Sequence, residues 1–86
     1  MEEKWKKKTI YMLLIVEAYD DRIAFYSIED AYDYACDYLI NKGYDPTNDE
    51  YKVFKNLKEN FEPDGFYINE ILSCYPSLLY EKSKNN

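Results

Sequence analysis

The side chains best suited to chemistry in this 86-residue chain are carboxylates, and their spacing makes a surface rather than a reaction centre. At 100° per residue Glu29, Asp33 and Asp37 form one row of a helix and Asp30 lies beside it. Such groups could in principle hold Mg²⁺ or work as an acid and base pair. On an open helix face, however, they are solvated and lack the enclosing pocket that shifts a carboxyl group toward catalytic duty. The chain has no His, which removes the usual base near neutral pH and the common triads, and no Ser or Cys stands in an activating sequence context. Two glycines, Gly43 and Gly65, cannot build a phosphate-cradling loop. Cys36 and Cys74, with no His and no Cys-x-x-Cys, read as inert core thiols of a cytoplasmic protein rather than as a disulfide or metal ligands. We therefore expect no enzyme: no catalytic residue, no metal and no cofactor.

The surface reading gains weight from where the charge lies. The formal net charge is −6, but Lys4, Lys6, Lys7, Lys8, Lys82 and Lys84 sit at the two ends, and the stretch from Thr9 to Glu81 carries −10. Between Glu17 and Glu50 only Arg22 and Lys42 oppose ten acids. Such a field repels DNA, RNA and anionic membrane, because affinity for phosphates depends on basic groups that displace counterions. The apolar run Ile10 to Val16 behind the lysines resembles a signal peptide only superficially: it is seven residues long, closed by Glu17, and far short of the roughly 20 needed to span a bilayer.

The elements that must position the acids follow from periodicity. Thr9 to Glu17 is β-rich and apolar at both parities, which predicts a central strand covered on both faces. Turn residues at Tyr19 to Arg22 and a second strand, Ile23 to Tyr26, complete a hairpin. Ser27-x-x-Asp30 has the form of a capping box and opens a helix from Ile28 to Lys42, with Ile28, Ala31, Tyr32, Ala35 and Leu39 inward and Gly43 as its left-handed stop. Thr47-x-x-Glu50 repeats the pattern ahead of a second helix running to about Asn60, with Tyr51, Phe54, Leu57 and Phe61 as its stripe. Phe66 to Tyr75 is ambiguous: Phe-Tyr-Ile favours strand, whereas the apolar spacing favours a short third helix, which we adopt. Leu78 to Tyr80 is the candidate third strand. The expected fold is α+β, a small two-layer sandwich of an antiparallel hairpin plus a third strand, with two or three helices on one face. We expect a basic N-terminal arm over residues 1–8, one acidic domain over 9–81 and a frayed polar tail over 82–86.

A row of like charges at four-residue spacing costs stability, and local conflicts of this kind gather at functional surfaces. Asp20 and Asp21 in the preceding turn and Asp45 after the helix would extend the patch if the helix ends lie near them. Tyr34 lies on the same outer side, and eleven Tyr are too many for so small a core, so some must be exposed, as interfaces favour. A/T-rich codons offer a compositional source for the Tyr, since Lys, Asn, Tyr and Ile make up 35 of 86 residues, but not for the lack of Lys on the acidic face. The expectation is a protein-binding module whose partner-binding face is Asp20, Asp21, Glu29, Asp30, Asp33, Tyr34, Asp37 and Asp45. Its partner would be a basic protein surface such as that of a nuclease or another nucleic-acid-binding protein. In size and charge the chain is similar in style to the anti-restriction and anti-CRISPR proteins of phages and mobile elements, a similarity that assigns no residue a role. The alternative is a structural protein whose acids only keep it dissolved and whose two-faced first strand pairs in a homodimer.

Overall fold

The computed structural model describes residues 4–18 and 21–82. Strand β1, Trp5–Ile15, runs through a 3-10 turn, Val16–Ala18, to β2, Asp21–Phe25; helices α1, Ile28–Asn41, and α2, Val53–Glu59, follow; β3, Phe66–Ile68, and β4, Leu72–Lys82, close the chain. The four strands form one antiparallel sheet in the order β2-β1-β4-β3. The fold is α+β, as the sequence led us to expect, and β1 is central.

Strand parity explains where the core sits. Leu13 faces Cys74 across the β1/β4 ladder and Ile15 faces Leu72, and all four are buried. They share one cluster with Phe66 and Ile68 of β3, with Ile28, Ala31, Ala35 and Leu39 of α1, and with Val53 and Leu57 of α2. Both helices therefore lie against one face of the sheet. Met12 and Leu14, of opposite parity, are half-buried, and Ile10, though only 7% exposed, stands outside this cluster. The expected cover on both faces of the first strand is thus absent among the described residues: seven helical residues in α2 are too few to wrap round the sheet.

The first helix is built as its sequence suggests. Ser27, in extended backbone, accepts a hydrogen bond at Oγ from the Asp30 amide at 3.1 Å. At the other end Gly43, at φ +104°, lets its own amide reach the Ile40 carbonyl and the Tyr44 amide reach the Leu39 carbonyl, the paired bonds of a Schellman stop.

Three expectations are corrected. Thr47-x-x-Glu50 does not start the second helix: Asp45 binds the amide and hydroxyl of Thr47 in a local turn, and α2 begins five residues later than that motif suggests. The true acceptor is Asp49, whose carboxylate takes the free amides of Phe54 (3.2 Å) and Lys55 (2.9 Å), while Lys52 bends the chain in at φ 55°. Asp49 therefore caps the helix from the preceding turn, and Phe61 lies beyond the helix. Second, residues 66–75 are not a third helix but β3, a three-residue turn and the start of β4. Glu70, at φ 67°, occupies the left-handed position of that turn, where Gly or Asn usually signals a hairpin. Third, both inner strands of the sheet are longer than expected. Residues 5–8 are part of β1, and the strand placed at Leu78 to Tyr80 extends over Leu72–Lys82.

Two substitutions check this description. Asp49→Ala removes the cap of α2 and should lower the unfolding free energy by about 1 kcal/mol in a urea titration. Glu70→Gly should raise it by up to about 1 kcal/mol by relieving the left-handed residue, the opposite of what glycine would do inside a helix.

Candidate functional site

Because Ile28, Ala31, Ala35 and Leu39 are buried against the sheet, the opposite side of α1 is turned outward, and Glu29, Asp30, Asp33 and Asp37 are all exposed. The only ion pair among the described residues is Lys55 with Glu59, 3.9 Å apart on α2. No member of the acidic row has an ion-pair partner among the described residues, although Lys58 of α2 borders the same cleft as Glu29 and Asp33. Tyr34, 42% exposed, rests at one margin of the row with its ring 5.4 Å from that of Phe25 on β2. That contact holds the ring in place and leaves the hydroxyl side free to meet a partner.

The other expected site residues divide. Asp21 opens β2, exposed and opposite Ile15 at the end of the sheet where α1 finishes. It stands near Tyr38, whose hydroxyl donates a 2.9 Å hydrogen bond to Glu17 Oε1. Loss of solvent around the Tyr38 phenol, then its bond to Glu17 and the negative charges of Glu17 and Asp21, push its pKa up to about 12. Glu17 and Asp21 therefore extend the acidic field around the C-terminal end of α1, and Glu17 is a member that sequence reasoning missed, since 21 residues separate it from Tyr38. Asp45 also follows this end of α1, but its carboxylate is engaged. The Thr47 hydroxyl at 2.7 Å and amide at 2.8 Å hold its pKa below the usual range, so it acts as a turn-former before it can act as a ligand. Asp20 lies outside the described residues.

At the other end of α1 the row borders an open cleft of about 290 Å³ lined by Glu29, Tyr32, Asp33, Lys58 and Phe61. Its aromatic lining is Tyr32 and Phe61, edge-on at 5.1 Å, and buried Phe66 backs both, edge-on to Tyr32 at 5.5 Å and stacked on Phe61 at 5.9 Å. Two carboxylates above aromatic rings suit the guanidinium of an arginine, which can pair with the acids and lie on a ring face. Tyr32 was expected in the core and Phe61 in the second helix, so nothing in the spacing foretold this cleft.

The thiols sit elsewhere. Cys74 is in the core, where burial pushes its pKa to about 11, and burial likewise raises that of half-buried Cys36. Neither is a thiolate near neutral pH. Among the described residues no group of three His, Cys, Asp or Glu side chains is placed to hold a metal ion, and no helix is long and apolar enough to cross a membrane. Among the described residues six tyrosines, Tyr26, Tyr34, Tyr51, Tyr67, Tyr75 and Tyr80, are exposed. Comparisons with protein-family models, with curated proteins and with solved structures found no match.

The Tyr38 to Glu17 contact has a measurable signature. The folded pKa lies above that of a free phenol, so its contribution to stability is present below about pH 10 and is lost as pH rises toward 12. Absorbance titration of the phenols should contain one tyrosine ionising near 12, and Glu17→Gln should lower that titration by only part of the shift, since the loss of solvent around the phenol remains.

Proposed function

We propose that this protein is a non-catalytic inhibitor, acting in the cytoplasm, that docks the exposed face of α1 on a basic surface of another protein, one that otherwise holds nucleic acid. The single observation that carries the reading is the row of Glu29, Asp30, Asp33 and Asp37, exposed along one side of a helix whose other side is the core, with no cation among the described residues in an ion pair with it. Adjacent members of such a row are roughly 5–6 Å apart, of the same order as successive phosphates on a nucleic-acid strand. Tyr34 adds a rigid ring beside the acids, and the Glu29/Asp33 cleft offers an arginine of the partner both carboxylate and aromatic contact. Asp21 and Glu17 continue the field past the end of the helix. In this role the protein occupies the partner's basic groove in place of nucleic acid, in the manner of anti-restriction or anti-CRISPR proteins.

Stability and binding should then move in opposite directions. Asp33 and Asp37 repel across one turn, so Asp33→Lys relieves a like-charge pair and creates favourable ones, raising stability by about 0.5 kcal/mol. The same change should abolish affinity capture of the partner from cells that carry it. Capture by the wild-type protein should weaken steeply between low and physiological salt. A salt-independent affinity, or capture that survives Asp30, Asp33 and Asp37 all changed to Lys in a folded protein, would sink the proposal.

A further inference from the structure

The paired strands β1 and β4 outrun the rest of the fold. β2 pairs β1 only from Tyr11 to Ile15, and β3 pairs β4 only from Leu72 to Cys74. From Trp5 to Ile10 and from Ser77 to Lys82 the sheet is therefore a bare two-stranded ribbon, roughly 17 Å long at about 3.3 Å per residue, and the molecule measures 57 × 25 × 17 Å. In profile it is an L: sheet and helices at one end, sheet alone at the other.

The ribbon's two faces differ. Register places Trp5, Lys7 and Thr9 on the same side as the core residues Leu13 and Ile15, with Lys82, Tyr80 and Leu78 opposite them. This side continues the apolar face that the helices cover further along, but here no described residue covers it: Trp5 is 53%, Leu78 54% and Tyr80 52% exposed. The ribbon is also basic, with Lys4, Lys6, Lys7, Lys8 and Lys82 against Glu81 alone. The helical layer ends in acids where it faces the ribbon. α1 begins just after Phe25, which pairs with Tyr11, and brings Glu29, Asp30 and Asp33 there; the turn before β3 brings Glu62 and Asp64, beside the approach of Gly65 to Cys74. Among the described residues none of the ribbon lysines is paired with these acids.

We propose that two copies interlock as a closed two-fold dimer through this notch. Each ribbon lays its Trp5, Leu78 and Tyr80 side on that of the other, and each lysine-bearing tip abuts the acidic end of the other's helical layer. One two-fold rotation then satisfies both mismatches that a single copy leaves open, apolar side chains in water and opposite charges held apart on a rigid frame. The dimer engages Glu29, Asp30 and Asp33 of the docking row and leaves the Asp37 end of α1 free, so it competes with the basic partner proposed above for one end of the row; its own test requires no other partner.

Trp5 is the only tryptophan and reports the contact directly. Sedimentation should give a mass approaching twice 10.4 kDa at high protein concentration, falling to one chain on dilution, with Trp5 emission shifting to the red in step. Leu78→Glu, on an exposed ribbon residue, should give a monomer with unchanged far-ultraviolet circular dichroism. Lys7→Glu with Lys82→Glu, the two lysines on the contact side, should weaken the dimer at least tenfold, and adding Glu29→Lys with Asp30→Lys should restore it. A wild-type chain that stays monomeric with the emission of an exposed indole overturns the proposal. So does a dimer that ignores Leu78→Glu but is dissolved by Met12→Asp, which would place the contact on the helix-free face. Open-ended oligomers in place of a discrete dimer overturn the two-fold closure.

Discussion

Everything in this fold hangs on the ladder between β1 and β4, eleven paired residues that join the first sixth of the chain to the last. It is the least local contact available: Trp5 meets Lys82, and even the nearest pair, Ile15 with Leu72, encloses 56 intervening residues. Closing a loop of that size costs entropy before any pairing rewards it. What offsets the cost is the apolar content at the inner end of the ladder, where Leu13, Ile15, Leu72 and Cys74 are the floor on which α1 and α2 rest. Without the ladder, β2 would be half of an isolated hairpin and β3 a three-residue strand with no neighbour, neither stable alone.

The helices owe their orientation to the same pairing. α1 can turn its carboxylates outward only because a sheet face receives Ala31, Ala35 and Leu39, and the small alanines let the helix backbone come close. α2 is only seven residues long and has little helix stability of its own. It is held by Val53 and Leu57 in the core and by the Asp49 carboxylate across its first turn. One ladder with a helical layer on one side also leaves much of the other side of the sheet open among the described residues, and there Tyr67 and Tyr75, beside half-buried Met12 and Leu14, keep 40% or more of their surface in water.

Local grammar was legible where it was self-contained. Ser27, the apolar stripe and Gly43 lie within one element, so the limits of α1 and its outward acids could be read from spacing alone. The chain beyond Gly43 was not, because its determining contacts are distant or its signals are unusual. Asp49 caps a helix from outside the usual offset, and Glu70 takes a position that glycine would advertise. Pro76 interrupts what is in fact an eleven-residue strand, tolerated because β4 has no outer neighbour past Cys74. The site divides along the same line. The row on α1 was readable; the approach of Glu17 to Tyr38 and the ring cluster of Tyr32, Phe61 and Phe66 were not, since each joins segments at least 20 residues apart.

The acids of the row are not equivalent, and the difference shows where the functional argument is strongest. Glu29 and Asp30 occupy the first turn of α1, where carboxylates interact favourably with the free amides and the positive end of the helix dipole by about 0.3–1 kcal/mol each. Helix stability alone is a sufficient reason for them. Asp33 and Asp37 gain nothing of the kind. Asp33 sits four residues from Glu29 and from Asp37, an unfavourable spacing for like charges, and Asp37 lies toward the negative end, where a base would be preferred and where Glu17 and Asp21 add further negative charge. A chain selected only for solubility could place these two charges on any exposed turn without that penalty. Their position against the helix's own electrostatics is what the fold does not need, and it makes Asp33 and Asp37 the part of the row whose presence calls for a basic partner.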